Sequence, residues 1–166
     1  MARKNYGKPF EDKVREQLED AGIYCLRLFD PPRGYKGISN PCDVLIHRKG
    51  VTCFFECKTI KKGASIPIYS NDPEGEHIYG NVSNGQWGGL LKAQSHGIVS
   101  GLLVWWVEKD MTKFIPIKTA DSLRNSGMKS IRYDITGGGI TELKGKKKRV
   151  YFDYDFDGFF KDLFGA

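Results

Sequence analysis

The stretch PCDVLIHRKGVTCFFECK, residues 41–58, reads as two β-strands joined by a tight turn. Residues 42–47 form one short β-favouring run. Residues 51–58 form another, rich in β-branched and aromatic side chains. Lys49-Gly50 lies between them, and glycine reaches positive φ without steric cost, which suits a two-residue hairpin loop. Closing the hairpin there places Asp43 opposite Glu56. Side chains alternate along a strand, so Glu56 and Lys58 share one face while Phe55 and Cys57 share the other. Two carboxylates and a lysine then converge on one patch of an otherwise apolar hairpin.

That convergence carries an electrostatic cost, because adjacent carboxylates repel and each loses hydration on burial. A divalent cation removes the repulsion. Hard oxygen donors suit Mg²⁺, which keeps several of its waters and takes few protein carboxylates, with Mn²⁺ as a substitute. A metal held there activates water and stabilises charge developing on a phosphate; Lys58 is placed to orient the water or to stabilise that charge. The plainer alternative is a surface hairpin carrying a Glu–Lys pair beside an aspartate. The spacing alone leaves both open.

Taken with the flanking sequence, these residues resemble a known family. Pro41-Cys42-Asp43 followed by Glu56-Cys57-Lys58 resembles the Pro-Asp…(Asp/Glu)-x-Lys signature of the PD-(D/E)xK nuclease superfamily. Gly7-Lys8-Pro9-Phe10-Glu11 resembles the Gly-x-x-(aromatic or aliphatic)-Glu opening of that family's first helix. The run from Phe55 to Thr59, followed by Ser65-Ile66-Pro67-Ile68, is similar to a segment of RecU-type Holliday-junction resolvases. Gln86-x-x-x-Leu90, leading to His96-Gly97 and an apolar run at 102–107, resembles the glutamine-bearing helix after the family's core. The likeness runs in order over roughly residues 5–118. One feature departs from it: RecU-type enzymes carry a long basic stalk before the catalytic aspartate, and here only residues 30–41 occupy that place.

The resemblance implies a restriction-endonuclease-like α/β fold with a mixed central sheet flanked by helices. It implies a Mg²⁺-dependent, structure-selective DNA endonuclease acting on four-way junctions and leaving a 5′-phosphate. Two symmetric cuts resolve a junction, so a homodimer is expected. In this reading Asp43 and Glu56 hold the metal with the backbone carbonyl of Cys57, and Lys58 aligns the attacking water. Glu11 is a third acid reaching the metal through water, and Gln86 points toward the site or a nearby phosphate. Without the resemblance, Glu11 reads as compensation of a helix dipole and Gln86 as a surface polar residue. Two other functions fit the same residues. A restriction- or repair-type endonuclease acting on duplex needs a sequence-reading element, and none is evident. A non-catalytic DNA-binding protein would tolerate loss of the acids, which are intact.

Composition is consistent with a polyanionic partner. The 166 residues carry a net charge of +6, and 40% hydrophobic with 13% aromatic content suits one globular domain. The first residues are polar, and the longest apolar run, 98–107, is too short to span a bilayer, so no membrane association and a cytoplasmic location are expected, in the host for a phage-encoded chain. The cysteines at 25, 42, 53 and 57 lack zinc-ribbon spacing, and Cys53 and Cys57 read as reduced core residues on the Phe55 face.

Along the chain, Phe10, Val14, Leu18 and Ala21 predict a helix over 9–21 with one buried face. A strand follows at 23–30, with Tyr24, Leu26 and Leu28 alternating against Cys25 and Arg27. Candidate phosphate contacts are Lys8, then Arg33 and Lys36 in a Gly-rich loop, Lys61 and Lys62 just past the hairpin, and Lys147 and Lys148 in the basic run 144–149. A loop at 69–83 holds His77. A second helix, capped by Ser83 or Asn84, runs to about 95, with Gly88-Gly89 allowing close approach to the sheet. The run 102–107 suits a central strand and 113–117 its hairpin partner after a turn at 110–112. A short helix at 119–125 has Thr119 as a candidate cap, and 130–135 reads as an edge strand. Gly137-Gly138-Gly139 reads as flexible. Asp153, Asp155, Asp157 and Gly158 copy the first half of a calcium loop but lack its closing glutamate, so 155–164 reads instead as an amphipathic helix packing inward or onto a partner.

Overall fold

The computed structural model describes residues 6–28, 40–69 and 82–165. Arg33, Lys36, His77 and nearly all of the basic N-terminal arm lie outside those residues. The chain opens with α1 (Gly7–Asp20), which buries Phe10, Val14 and Leu18 at helical spacing. It continues through β1 (Tyr24–Arg27), β2 (Val44–Arg48), β3 (Val51–Ile60) and β4 (Ser65–Pro67). Then come α2 (Asn84–Ser95), β5 (Val99–Trp106), β6 (Met111–Pro116) and α3 (Ile117–Asn125). The last elements are β7 (Ser130–Arg132), β8 (Thr141–Glu142), β9 (Gly145–Lys147), β10 (Phe152–Tyr154) and α4 (Phe156–Phe164).

A six-stranded sheet in the order β1-β2-β3-β5-β6-β8 forms the centre. Only the β3–β5 pair within it is parallel, so the sheet is mixed. The β2–β3 hairpin closes on Lys49 (φ 48°) and Gly50 (φ 80°), the two consecutive positive-φ residues that a type I′ turn requires. Helices cover both faces. On one, α1 and Phe156, Phe159 and Phe160 of α4 pack against Val44, Phe55, Cys57 and Trp105. On the other, Trp87 and Leu90 of α2 and Ile117 and Ala120 of α3 pack against Leu102, Val104, Trp106 and Ile115. This three-layer plan explains why β5 is apolar almost throughout: both of its faces are covered. All four cysteines are free thiols, with Cys53 and Cys57 in the α1-side core.

Several local readings change. In β1 the apolar residues face outward, Tyr24 at 63% and Leu26 at 46% exposure, while Cys25 and Arg27 turn toward α1. The β5–β6 turn is a 3₁₀ turn at Val107–Lys109 ending on Asp110 in the left-handed region, so β6 begins sooner than composition suggests. Helix α3 starts at Ile117, directly after Pro116; Thr119 lies inside it and donates to the Gly138 carbonyl rather than capping. The three consecutive glycines form a defined turn, with φ of 85°, 58° and 77°. The calcium-like acids are engaged within the fold: Asp155 caps α4 at the Gly158 N–H, Asp153 pairs with Lys148 and Asp157 with Arg48.

Close approach to the sheet does not explain Gly88-Gly89. Among the described residues, a Cβ at Gly88 would meet nothing within 4 Å, and one at Gly89 only the Pro41 carbonyl oxygen at 4.0 Å. Within the central sheet, Gly101 in β5 does need to be a glycine: a Cβ there would overlap the Ile115 carbonyl and stand 2.8 Å from the Phe114 ring. Gly101→Ala is therefore expected to destabilise the protein by about 3 kcal/mol, read as a lower denaturant midpoint. An unchanged midpoint would mean that the β5–β6 pair relaxes to admit the methyl group.

Candidate active site

The site forms where β2 parts from β3. Val44 pairs with Phe55, and Asp43, just before β2, donates its N–H to the Phe55 carbonyl at 3.1 Å. Beyond Phe55, β3 runs on to Ile60 beside β5, leaving its other edge without β2. The Asp43 side chain occupies that edge, and its Oδ2 accepts the Cys57 N–H at 2.8 Å. The Cys57 carbonyl leaves the strand on the same edge as its N–H, so it too faces the fork. The antiparallel register sets Asp43 against Glu56, as the hairpin pattern requires.

Glu56 is only 2% exposed, and its Oε1 receives Lys58 Nζ at 2.8 Å and Gln86 Nε2 at 2.5 Å. Lys58 Nζ also lies 3.4 Å from Gln86 Oε1. Gln86 arrives from the first turn of α2 through a capping box: Ser83 Oγ accepts the Gln86 N–H at 3.1 Å, and Gln86 Oε1 accepts the Ser83 N–H at 3.0 Å. Its amide orientation follows from its partners. The Ser83 N–H and the Lys58 ammonium only donate, so the oxygen must face them and the NH₂ must face the carboxylate. Burial pushes the Glu56 carboxyl up to about 7; Lys58 pulls it down and Asp43 pushes it up.

Glu11 approaches from α1. Its Oε2 pairs with one Arg27 nitrogen at 3.2 Å, while another Arg27 nitrogen holds Asp12 Oδ1 at 2.8 Å. Burial raises the Glu11 carboxyl above its ordinary value, Asp43 adds to the rise, and Arg27 opposes it. Glu11 and Asp43 thus feel each other's charge, while the direct partner of Glu11 is Arg27. Sequence reasoning missed Arg27 and Asp12. The signal available was an arginine in phase with Cys25 on a short strand that follows a helix with adjacent acids, Glu11 and Asp12, in its second turn.

The candidate phosphate contacts scatter around this centre. Lys8 is exposed in the first turn of α1. Lys61 and Lys62 are exposed, but β3 extends past Lys58, which sets Lys61 roughly 10 Å farther along the strand rather than beside Lys58. Lys61 lies 5.7 Å from the Tyr6 ring centroid, and Tyr6 meets Trp105 edge-on. Lys147 pairs with Asp110 at 2.5 Å and Lys148 with Asp153 at 3.0 Å; both pairs are exposed and exchange readily with water. Lys146 and Arg149, on the same hairpin, have no ion-pair partner among the described residues.

Among the described residues no three His, Cys, Asp or Glu side chains gather as a metal cage. The donors at the fork are two carboxylates and one backbone carbonyl. That set fits a hard divalent ion with most of its positions left to water, as Mg²⁺ prefers, and a cation between the acids would relieve the Asp43 repulsion that adds to the effect of burial on Glu56.

Similar chains exist among solved structures. One is Hjc, a Holliday junction resolvase from Archaeoglobus fulgidus, with 20% identity, 68% of this chain and 78% of that chain covered, and a TM-score of 0.46. Another is a bacterial homing endonuclease, with 11% identity, 87% and 82% covered, and a TM-score of 0.46. No protein-family model and no curated protein matches the sequence. No helix among the described residues is long and apolar enough to cross a membrane.

Proposed function

We propose that this protein is a metal-dependent DNA endonuclease with a restriction-endonuclease-like core, cutting branched DNA as a homodimer in the manner of a junction resolvase. The observation that carries the reading is the opposition of Asp43 and buried Glu56 at the β2–β3 fork, with Lys58 Nζ 2.8 Å from Glu56. Asp43, Glu56 and the Cys57 carbonyl would hold Mg²⁺, with Glu11 behind them. Bound there, the ion supplies an acidified water and offsets charge on the phosphate. The chain's own groups do the rest. Lys58 donates from its ammonium to the incoming water or to the phosphoryl oxygens. Gln86 fixes the Glu56 carboxylate and the Lys58 ammonium relative to each other, because it bonds both. Arg27 holds Glu11 and Asp12 in place and offsets the negative charge gathered at this edge.

The test is a panel of four-way junctions, flaps and linear duplexes at equal salt, with Mg²⁺ and with EDTA. Chelator-sensitive nicking of branched substrates is expected. Cleavage of plain duplex at an equal rate would favour a restriction- or repair-type enzyme, and binding without cleavage in Mg²⁺ would remove the catalytic reading. The basic β9–β10 hairpin bears on binding. Replacing Lys146 and Arg149 together by Ala is expected to lower the salt slope of DNA binding by about 2, and replacing Lys147 and Lys148 by less, since those two already hold carboxylates. Unchanged slopes for both pairs would make the hairpin a bystander.

A further inference from the structure

A groove of about 440 Å³ opens beside the candidate site, between α2 and the strand that carries Glu56. Its walls include Pro41, Phe54, Gly85, Gly89, Lys92 and His96. Phe54 is on the same face of β3 as Glu56, two residues away, and Gly85 precedes Gln86, so one end of the groove adjoins the fork. The other end lies at Lys92 and His96. From Gly85 to His96 the helix rises roughly 16 Å, several times the roughly 3.4 Å axial rise per nucleotide of a stacked strand and so long enough for more than one nucleotide.

The chemistry of the walls is divided. The floor is apolar and partly aromatic. Lys92 and His96 are the ionisable residues among the described lining, and none there is acidic. Lys92 is exposed and has no ion-pair partner among the described residues, and His96 is held at the rim by its Nδ1 against the Lys92 carbonyl at 2.9 Å. An apolar floor offers nothing to a phosphate, but it suits the face of a base, and basic groups at the rim suit the backbone that follows it. The glycines point the same way. Gly85 and Gly89 each cost α2 up to about 1 kcal/mol of helix stability relative to Ala. Packing against the described residues does not call for them, since a Cβ at either would have only an ordinary contact near 4 Å among them. What their missing side chains do provide is the open wall of this groove.

We propose that this groove receives nucleotides flanking the scissile phosphate with their bases out of the duplex stack, so that the preferred substrate is DNA unpaired next to the cut. This rests on the nuclease reading above and deepens it. The discriminating variant is Gly89→Leu, which fills the groove while improving helix propensity. Gly88→Leu is its control, on the same helix but outside the groove and open to solvent. Binding to a labelled short oligo-dT strand and to a blunt duplex would be followed by anisotropy in EDTA, with thermal melts of each variant. Gly89→Leu is expected to bind oligo-dT about tenfold more weakly, with duplex binding unchanged and no loss of melting temperature, whereas Gly88→Leu behaves as wild type. Unchanged oligo-dT affinity in Gly89→Leu, or equal losses for single strand and duplex, would overturn the proposal. Cleavage that still requires Asp43 would show in that event that the nuclease reading survives; a wild-type protein that binds neither DNA would end both.

Discussion

Asp43→Asn is expected to lower Mg²⁺-dependent cleavage by on the order of 10³-fold, about 4 kcal/mol of transition-state stabilisation, without destabilising the fold. The two halves of that expectation have separate physical origins. The fold uses Asp43 as an acceptor for the Cys57 N–H at 2.8 Å, and the amide oxygen of Asn accepts the same bond. The charge, by contrast, repels its neighbours: it adds to the rise that burial imposes on the carboxyls of both Glu56 and Glu11. Neutralising it relieves that repulsion while the bond to the Cys57 N–H is kept, so no large fall in melting temperature is expected. DNA affinity should persist, because affinity for a phosphate backbone comes in general from Lys and Arg and not from carboxylates. A charge that repels the acids beside it and is indispensable to turnover is the pattern expected of a metal ligand. Wild-type cleavage by Asp43→Asn in Mg²⁺ would remove the site, and a large fall in melting temperature would reassign Asp43 to the architecture.

How much of this arrangement is legible in sequence depends on the range of the interaction involved. The β2–β3 hairpin follows from alternation and from Lys49-Gly50, both local, and its register brings Asp43 to Glu56 with no information from elsewhere in the chain. The α2 start is equally local, because Ser83 and Gln86 form a capping box within one turn. The faces of β1 are not local. Tyr24 and Leu26 look like the buried set by hydropathy, yet the partner of this edge strand is the second turn of α1, which carries Glu11 and Asp12, and Arg27 satisfies both only when it faces that helix. A strand with one charged and one apolar face is decided by what lies across from it. Strand β4 fails for another reason: three residues including Pro67 carry too little pattern, and its pairing with β7 joins positions more than sixty residues apart. Lys147 and Lys148 show the limit for charge. The basic run is evident, but Asp110 and Asp153, which occupy two of its members, are invisible to composition.

Gln86→Glu separates the site from the scaffold most cleanly, because the two roles of Gln86 respond oppositely to it. A capping box accepts Glu as readily as Gln at this position, and an acid in the first turn of α2 interacts favourably with the helix dipole. The helix should therefore keep its stability to within about 1 kcal/mol. At the other end of the side chain the change is severe. Gln86 Nε2 donates to Glu56 Oε1 at 2.5 Å, and a carboxylate there cannot donate. It would instead set a second carboxylate against a carboxyl that burial already disfavours as an anion, and it would compete with Glu56 for Lys58. Cleavage is expected to fall on the order of a hundredfold at saturating DNA, with DNA affinity and helix content little changed and the melting temperature lowered only by the repulsion at Glu56. Gln86→Ala cannot make this distinction, since it removes the cap and the site contact together. Wild-type turnover in Gln86→Glu would leave Gln86 a helix-capping residue whose nearness to Glu56 has no part in the chemistry.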